Sequence, residues 1–99
     1  MSKFNDILEK MKDIHDEKDS RYSNSFGRTR VKHKNAIAVV LNFKLNRLET
    51  LLEHPELEND ESINDTLLDM ANYCVMEMVE RQQEAELIEK AMEVLKHGF

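Results

Sequence analysis

Turn-forming residues are almost missing from this 99-residue chain: proline occurs once and glycine twice. A sheet protein needs tight turns between strands, so the scarcity excludes one and predicts an all-α domain. A single cysteine, Cys74, excludes an internal disulfide framework and suits a reducing, cytoplasmic setting. Its place on the inward face of a helix predicts a buried, inert thiol. No run approaches the roughly 20 apolar residues of a membrane span. The opening MSKFNDILEKMK interrupts its apolar pattern with charges and does not read as a signal peptide. Glycine-rich phosphate loops, HExxH and Cys/His metal spacings are absent, and the four histidines are scattered.

What is present in abundance is charge, unevenly placed. The formal net charge of −6 disfavours general binding to DNA or RNA. Yet between Arg21 and Leu48 lie seven Lys or Arg and no acid, leaving seven basic against twenty acidic side chains elsewhere. Such a basic middle is either an anion site or the counterpart of acidic helices.

Apolar residues recur at helical spacing in three places. Phe4, Ile7, Leu8, Met11 and Ile14 predict a first helix over about 3–18, with Ser2 or Asn5 as its cap. DSRYSNSFGRTRV, rich in Ser and Asn, predicts a loop from Asp19 to about Val31. Ile37, Val40, Leu41, Leu48, Leu51 and Leu52 predict a second helix over about 33–54, closed by Pro55. A third begins near Glu61, with Ile63, Leu67, Met70, Ala71, Cys74, Val75 and Met78 inward; whether 80–86 breaks it is left open by the pattern. The expectation is one domain over 1–99, a compact antiparallel bundle of three to four helices. Val39, Phe43, Leu68 and Val79 widen the apolar surface beyond one stripe, which predicts a homo-oligomer.

Two constellations bear on chemistry. Asp65 and Asp69 stand one helical turn apart, sharing a face with Asn72 and flanked by Tyr73. Like charges at this spacing weaken a helix by roughly 0.2–0.5 kcal/mol. Paired carboxylates can hold Mg²⁺, which takes oxygen ligands and keeps waters for a substrate phosphate; spacing alone favours the plainer account, a dipole-favoured Asp65 and a solvated or ion-paired Asp69. Lys44 projects from the middle of an apolar stripe with Arg47 on its flank, so it must snorkel, meet a carboxylate or face a pocket. Packing the second and third helices antiparallel would bring Lys44 and Arg47 to Asp65 and Asp69, with Tyr22 near the mouth of the cleft. In the preceding loop, Tyr22, Ser25 and Phe26 offer rings that stack on a base and a hydroxyl for phosphate or sugar, or else simply anchor the loop.

The segments KDSRYSNSF, NFKLNRLETLL and DESINDTLLDMANYCVM, in that order, resemble the signature blocks of nucleotide modification associated domain 1, a phage and Firmicutes family. The likeness covers about residues 18–80. It carries over Tyr22, Ser25 and Phe26 from the first block, Lys44, Arg47 and Leu48 from the second, and Asp60, Glu61, Asp65, Asp69 and Tyr73 from the third. Arg21, Ser23 and Phe43 depart from the family pattern. That family is in turn similar to the all-α, MazG-like nucleoside triphosphate pyrophosphohydrolases, whose metal site pairs ExxE with ExxD. Here Lys44 and Arg47 stand where such enzymes have acids, which favours direct phosphate binding over hydrolysis.

The resemblance implies a nucleotide-binding protein of phage type, acting in nucleotide metabolism or DNA base modification. Its expected binding residues are Tyr22, Ser25, Phe26, Lys44, Arg47 and Tyr73, with Asp65 and Asp69 as Mg²⁺ ligands. The protein would act in the cytoplasm, the host's if it is phage-encoded, with pyrophosphohydrolase-like activity an open question. A non-catalytic protein that sequesters a nucleotide, or a helical module binding a host protein, are the alternatives.

Overall fold

A computed structural model describes all residues except Met1, Ser23, Pro55, Leu57, Glu58, Asn59 and Phe99, and the side chains of Arg21, Tyr22, Asp60 and Glu61. Four helices carry the described chain: α1 (Lys3–Tyr22), α2 (Ser25–Lys32), α3 (Ala36–Glu53) and α4 (Asp60–His97). No strand occurs among the described residues, as the lack of turn residues predicts.

α1 opens as expected, with Ser2 Oγ accepting from the Asn5 N–H at 3.1 Å. It then overruns the expected stop at residue 18, and most of the anticipated loop is helix. α1 ends at Tyr22 and α2 starts at Ser25. Asn24 there adopts φ 55°, ψ 47°, a left-handed conformation that asparagine tolerates better than most residues. Its Oδ1 accepts from the Gly27 N–H at 3.2 Å, capping α2. Asn24, read as a loop former, thus serves as the cap of a short helix.

Tertiary contacts hold α2 in place. Phe26 is 5% exposed and meets Tyr73 of α4 edge-on, with ring centroids 5.5 Å apart. Gly27 permits the close approach, since a Cβ there would meet Glu80 Oε1 at 2.5 Å and collide with the Asn24 side chain.

α3 packs chiefly on α4. Lys44 reaches Asp69 and Arg47 reaches Thr66, so three residues forward on α3 correspond to three residues back on α4. This is the antiparallel register expected of neighbours joined by a short connection. α4 itself continues without interruption through 80–86, which the sequence left undecided. Gly98 follows at φ 75°, a conformation open to glycine without strain.

Among the described residues the buried apolar core is Phe26, Ala36, Leu51 and Leu68, joined by buried Thr66 and Glu77. Leu68, expected as surplus surface, is inside. Leu67, Val75 and Met78, expected inward, are 45%, 47% and 67% exposed, and Cys74 is exposed rather than buried. The reason is that α2 and α3 take one face of α4 and α1 takes an adjacent one, leaving the remaining faces bare. Val39, Phe43 and Val79 are exposed, as expected.

Candidate functional site

Asp69 is where α1, α3 and α4 meet. Lys18 Nζ of α1 donates to Asp69 Oδ1 at 2.9 Å, and Lys44 Nζ of α3 donates to Oδ2 at 3.1 Å. One carboxylate therefore bridges two ammonium groups, with the Asp19 carboxylate also on the lining of the adjoining cleft. Burial alone would raise the Asp69 carboxyl, but hydrogen bonds from Lys18 and Lys44 outweigh it and hold the group below its ordinary range. The cluster is open to solvent: the Lys18 side chain is 53% exposed, Lys44 30% and Asp69 22%.

A cleft of about 200 Å³ opens beside this bridge, lined by His15, Lys18 and Asp19 of α1, Asn24, Ser25 and Phe26, and Asp69, Asn72, Tyr73 and Met76 of α4. It is continuous with a larger apolar groove of about 460 Å³ between α1 and α4, with which it shares His15, Asp19, Asn24, Asn72 and Met76. Lysine, amide, hydroxyl and aromatic groups converge there on a mostly apolar concavity, the usual composition of a small-molecule site.

The residues expected from sequence are distributed as follows. Ser25, Phe26, Asp69 and Tyr73 line the cleft, and Lys44 joins it through Asp69. Arg47 sits one turn along α3, exposed, and its Nε donates to Thr66 Oγ1 at 3.3 Å instead of to an aspartate. Asp65 is exposed and has no ion-pair partner among the described residues, so the four expected charges do not all converge. Tyr22 closes α1; its side chain lies outside the described residues. Sequence reasoning missed Lys18, which entered only as the first letter of the KDSRYSNSF block.

A second cluster was missed entirely. Arg30 of α2 forks onto Glu77, its Nε to Oε1 at 2.7 Å and its second terminal nitrogen to Oε2 at 3.0 Å, and it also pairs with Glu84. Arg81 Nε completes the set, donating to Glu77 Oε2 at 2.7 Å. The hydrogen bond from Arg30 holds the Glu77 carboxyl below its usual range against the opposing effect of burial, and Arg30 itself is pushed up by Glu77 and Glu84. The available signal was an acid, Glu77, set among apolar residues of the third helical pattern.

The model of the family described as nucleotide modification associated domain 1 matches residues 18–80. The chain belongs to that family. The match takes in Lys18, Phe26, Lys44, Asp69 and Tyr73, and it ends before the last seventeen helical residues of α4. No curated protein and no solved structure matches the chain. Among the described residues no helix is long and apolar enough to cross a membrane.

Proposed function

We propose that this nucleotide modification associated domain binds a nucleotide in the cleft beside Asp69, as part of nucleotide metabolism or DNA base modification. The observation that carries the reading is the Lys18–Asp69–Lys44 bridge on the wall of a cleft that also holds Tyr73. Two ammonium groups sharing one carboxylate retain donors for an anion, and each is a flexible point charge that follows a phosphate. Tyr73 and Phe26 give the cleft an aromatic wall for a base. Asn72 and Ser25 supply an amide and a hydroxyl for base or sugar edges.

The donor set suits phosphate better than Mg²⁺. A divalent cation at this place would need the carboxylates of Asp65 and Asp69 together. Asp69 instead gives one oxygen to each lysine, while Asp65 is exposed, and no group of three His, Cys, Asp or Glu gathers among the described residues. The hydrolytic alternative, which needs several metal-collecting carboxylates, therefore has less support from these side chains than binding alone.

The test is a panel of nucleosides and nucleoside mono-, di- and triphosphates, with and without Mg²⁺, followed by thermal shift and by chromatography of the ligand. Phosphate-bearing nucleotides should raise the melting temperature without metal and be recovered intact. A protein that shifts with none of them refutes the reading. Release of pyrophosphate in the Mg²⁺ arm moves it to the enzymatic form.

A further inference from the structure

The C-terminal part of α4 extends away from the bundle. Every residue from Arg81 to Gly98 is exposed, including Leu87, Ile88 and Leu95 at 66%, 61% and 76%. These side chains are not scattered. The residues of α4 that α2 meets include Tyr73, Glu77 and Glu84, and from Glu84 the same face continues in steps of four, three and four through Ile88, Ala91 and Leu95. Upstream this face takes a helix; beyond Glu84 it turns apolar and meets none of the described residues. Glu86, Glu89, Glu93 and Lys96 fall on the opposite side, so the segment is amphipathic with a clean apolar face.

We infer that a second copy of this chain covers this face, helix α4 against helix α4. The surface area argues for a partner of protein size. A compact chain of 11.7 kDa exposes about 5,900 Å², whereas this one exposes 8125 Å². The excess, roughly 2,200 Å², exceeds the ~800 Å² that each partner contributes to a standard stable interface. The radius of gyration tells the same story, at 17.6 Å against about 13 Å for a globule of this length. A second copy supplies the matching apolar stripe at no cost in specificity, and Ala91 at its middle allows close approach of the two backbones. This places the contact on α4 past Glu84, apart from the Phe43 side of α3 and from the cleft.

Light scattering after gel filtration of the full chain at micromolar concentration tests the inference. The wild type should elute at twice 11.7 kDa, and Ile88→Glu with Leu95→Glu should elute at 11.7 kDa with unchanged helical circular dichroism. Ile88→Ala with Leu95→Ala, which leaves no new charge, should weaken association at least tenfold. Phe43→Glu should leave the dimer intact. A monomeric wild type, or a dimer that survives both stripe variants, overturns the inference, as does one dissociated by Phe43→Glu alone.

Discussion

The two ion-pair clusters use the same ingredients to opposite ends. Around Glu77, two arginines meet two glutamates and the charges cancel; Arg30 and Glu77 side chains are only 13% and 11% exposed. Around Asp69, two lysines meet one aspartate, and the groups are more open to solvent. An arginine fork on a carboxylate fixes geometry through parallel hydrogen bonds, whereas lysines on flexible stems fix little. The first cluster fastens α2 to α4. The second sets two lysines and their shared carboxylate beside a cleft. An ion pair is therefore informative about function only once its surroundings and exposure are known.

Glu77→Ala should break the comparison most visibly, removing the anchor of both Arg30 and Arg81. Loss of charged hydrogen bonds to a buried residue costs about 1–3 kcal/mol, equivalent to a melting temperature lower by roughly 5–20 °C in a domain of this size. Differential scanning calorimetry measures it, and nucleotide binding by the folded protein should persist. Gly27→Ala comes next. The Glu80 carboxylate moves aside readily, but Asn24 must give up its capping bond, for a loss of about 1 kcal/mol and detachment of the Asn24–Glu80 hydrogen bond at 3.2 Å.

Acid should separate the clusters further. Asp69, Glu77 and Glu84 all have lowered folded-state values. Their contribution is complete above the ordinary carboxylate range, near 4, and is lost as pH falls through the lowered values. Chemical denaturation at pH 7 and pH 3 should show the decline, and Glu77→Gln should flatten it more than Asp69→Asn. The Asp69 cluster is sharpened by ligand response: Asp69→Asn removes the negative charge that Lys18 and Lys44 share and should tighten metal-free phosphate binding, measured by calorimetric titration. If Mg²⁺ binds there, the same change weakens binding in its presence. The smallest effect on stability belongs to Lys18→Ala. An exposed pair contributes about 0–1 kcal/mol, so the melting temperature should scarcely move while nucleotide affinity falls.

The sequence was most readable where a residue had few physical ways out. Lys44 in an apolar stripe had to snorkel, meet a carboxylate or face a pocket, and it meets Asp69. Helix α3 and its antiparallel packing on α4 followed from periodicity and the short acidic connection around Pro55. Asp65 was equally well spaced but faces solvent, because spacing fixes a shared face and not where the neighbouring helix crosses it. α2 was misread since its helix depends on Phe26, Gly27 and Arg30 meeting α4, contacts distant in sequence that no local propensity carries. Glu77 shows the same limit: periodicity put Cys74, Val75 and Met78 inward instead, and Arg30, 47 positions earlier, was one cation among several.

That α4 is a single 38-residue rod has a consequence for its backbone amides. Helix ends without tertiary support fray, and an isolated segment of about 12–15 residues is marginal in water. In a lone copy, hydrogen-exchange protection should therefore decay steadily from the turn of Thr66 and Leu68, clasped by α3, toward His97. The slope of that decay reads, residue by residue, how far the bundle's order propagates along a helix that outruns it.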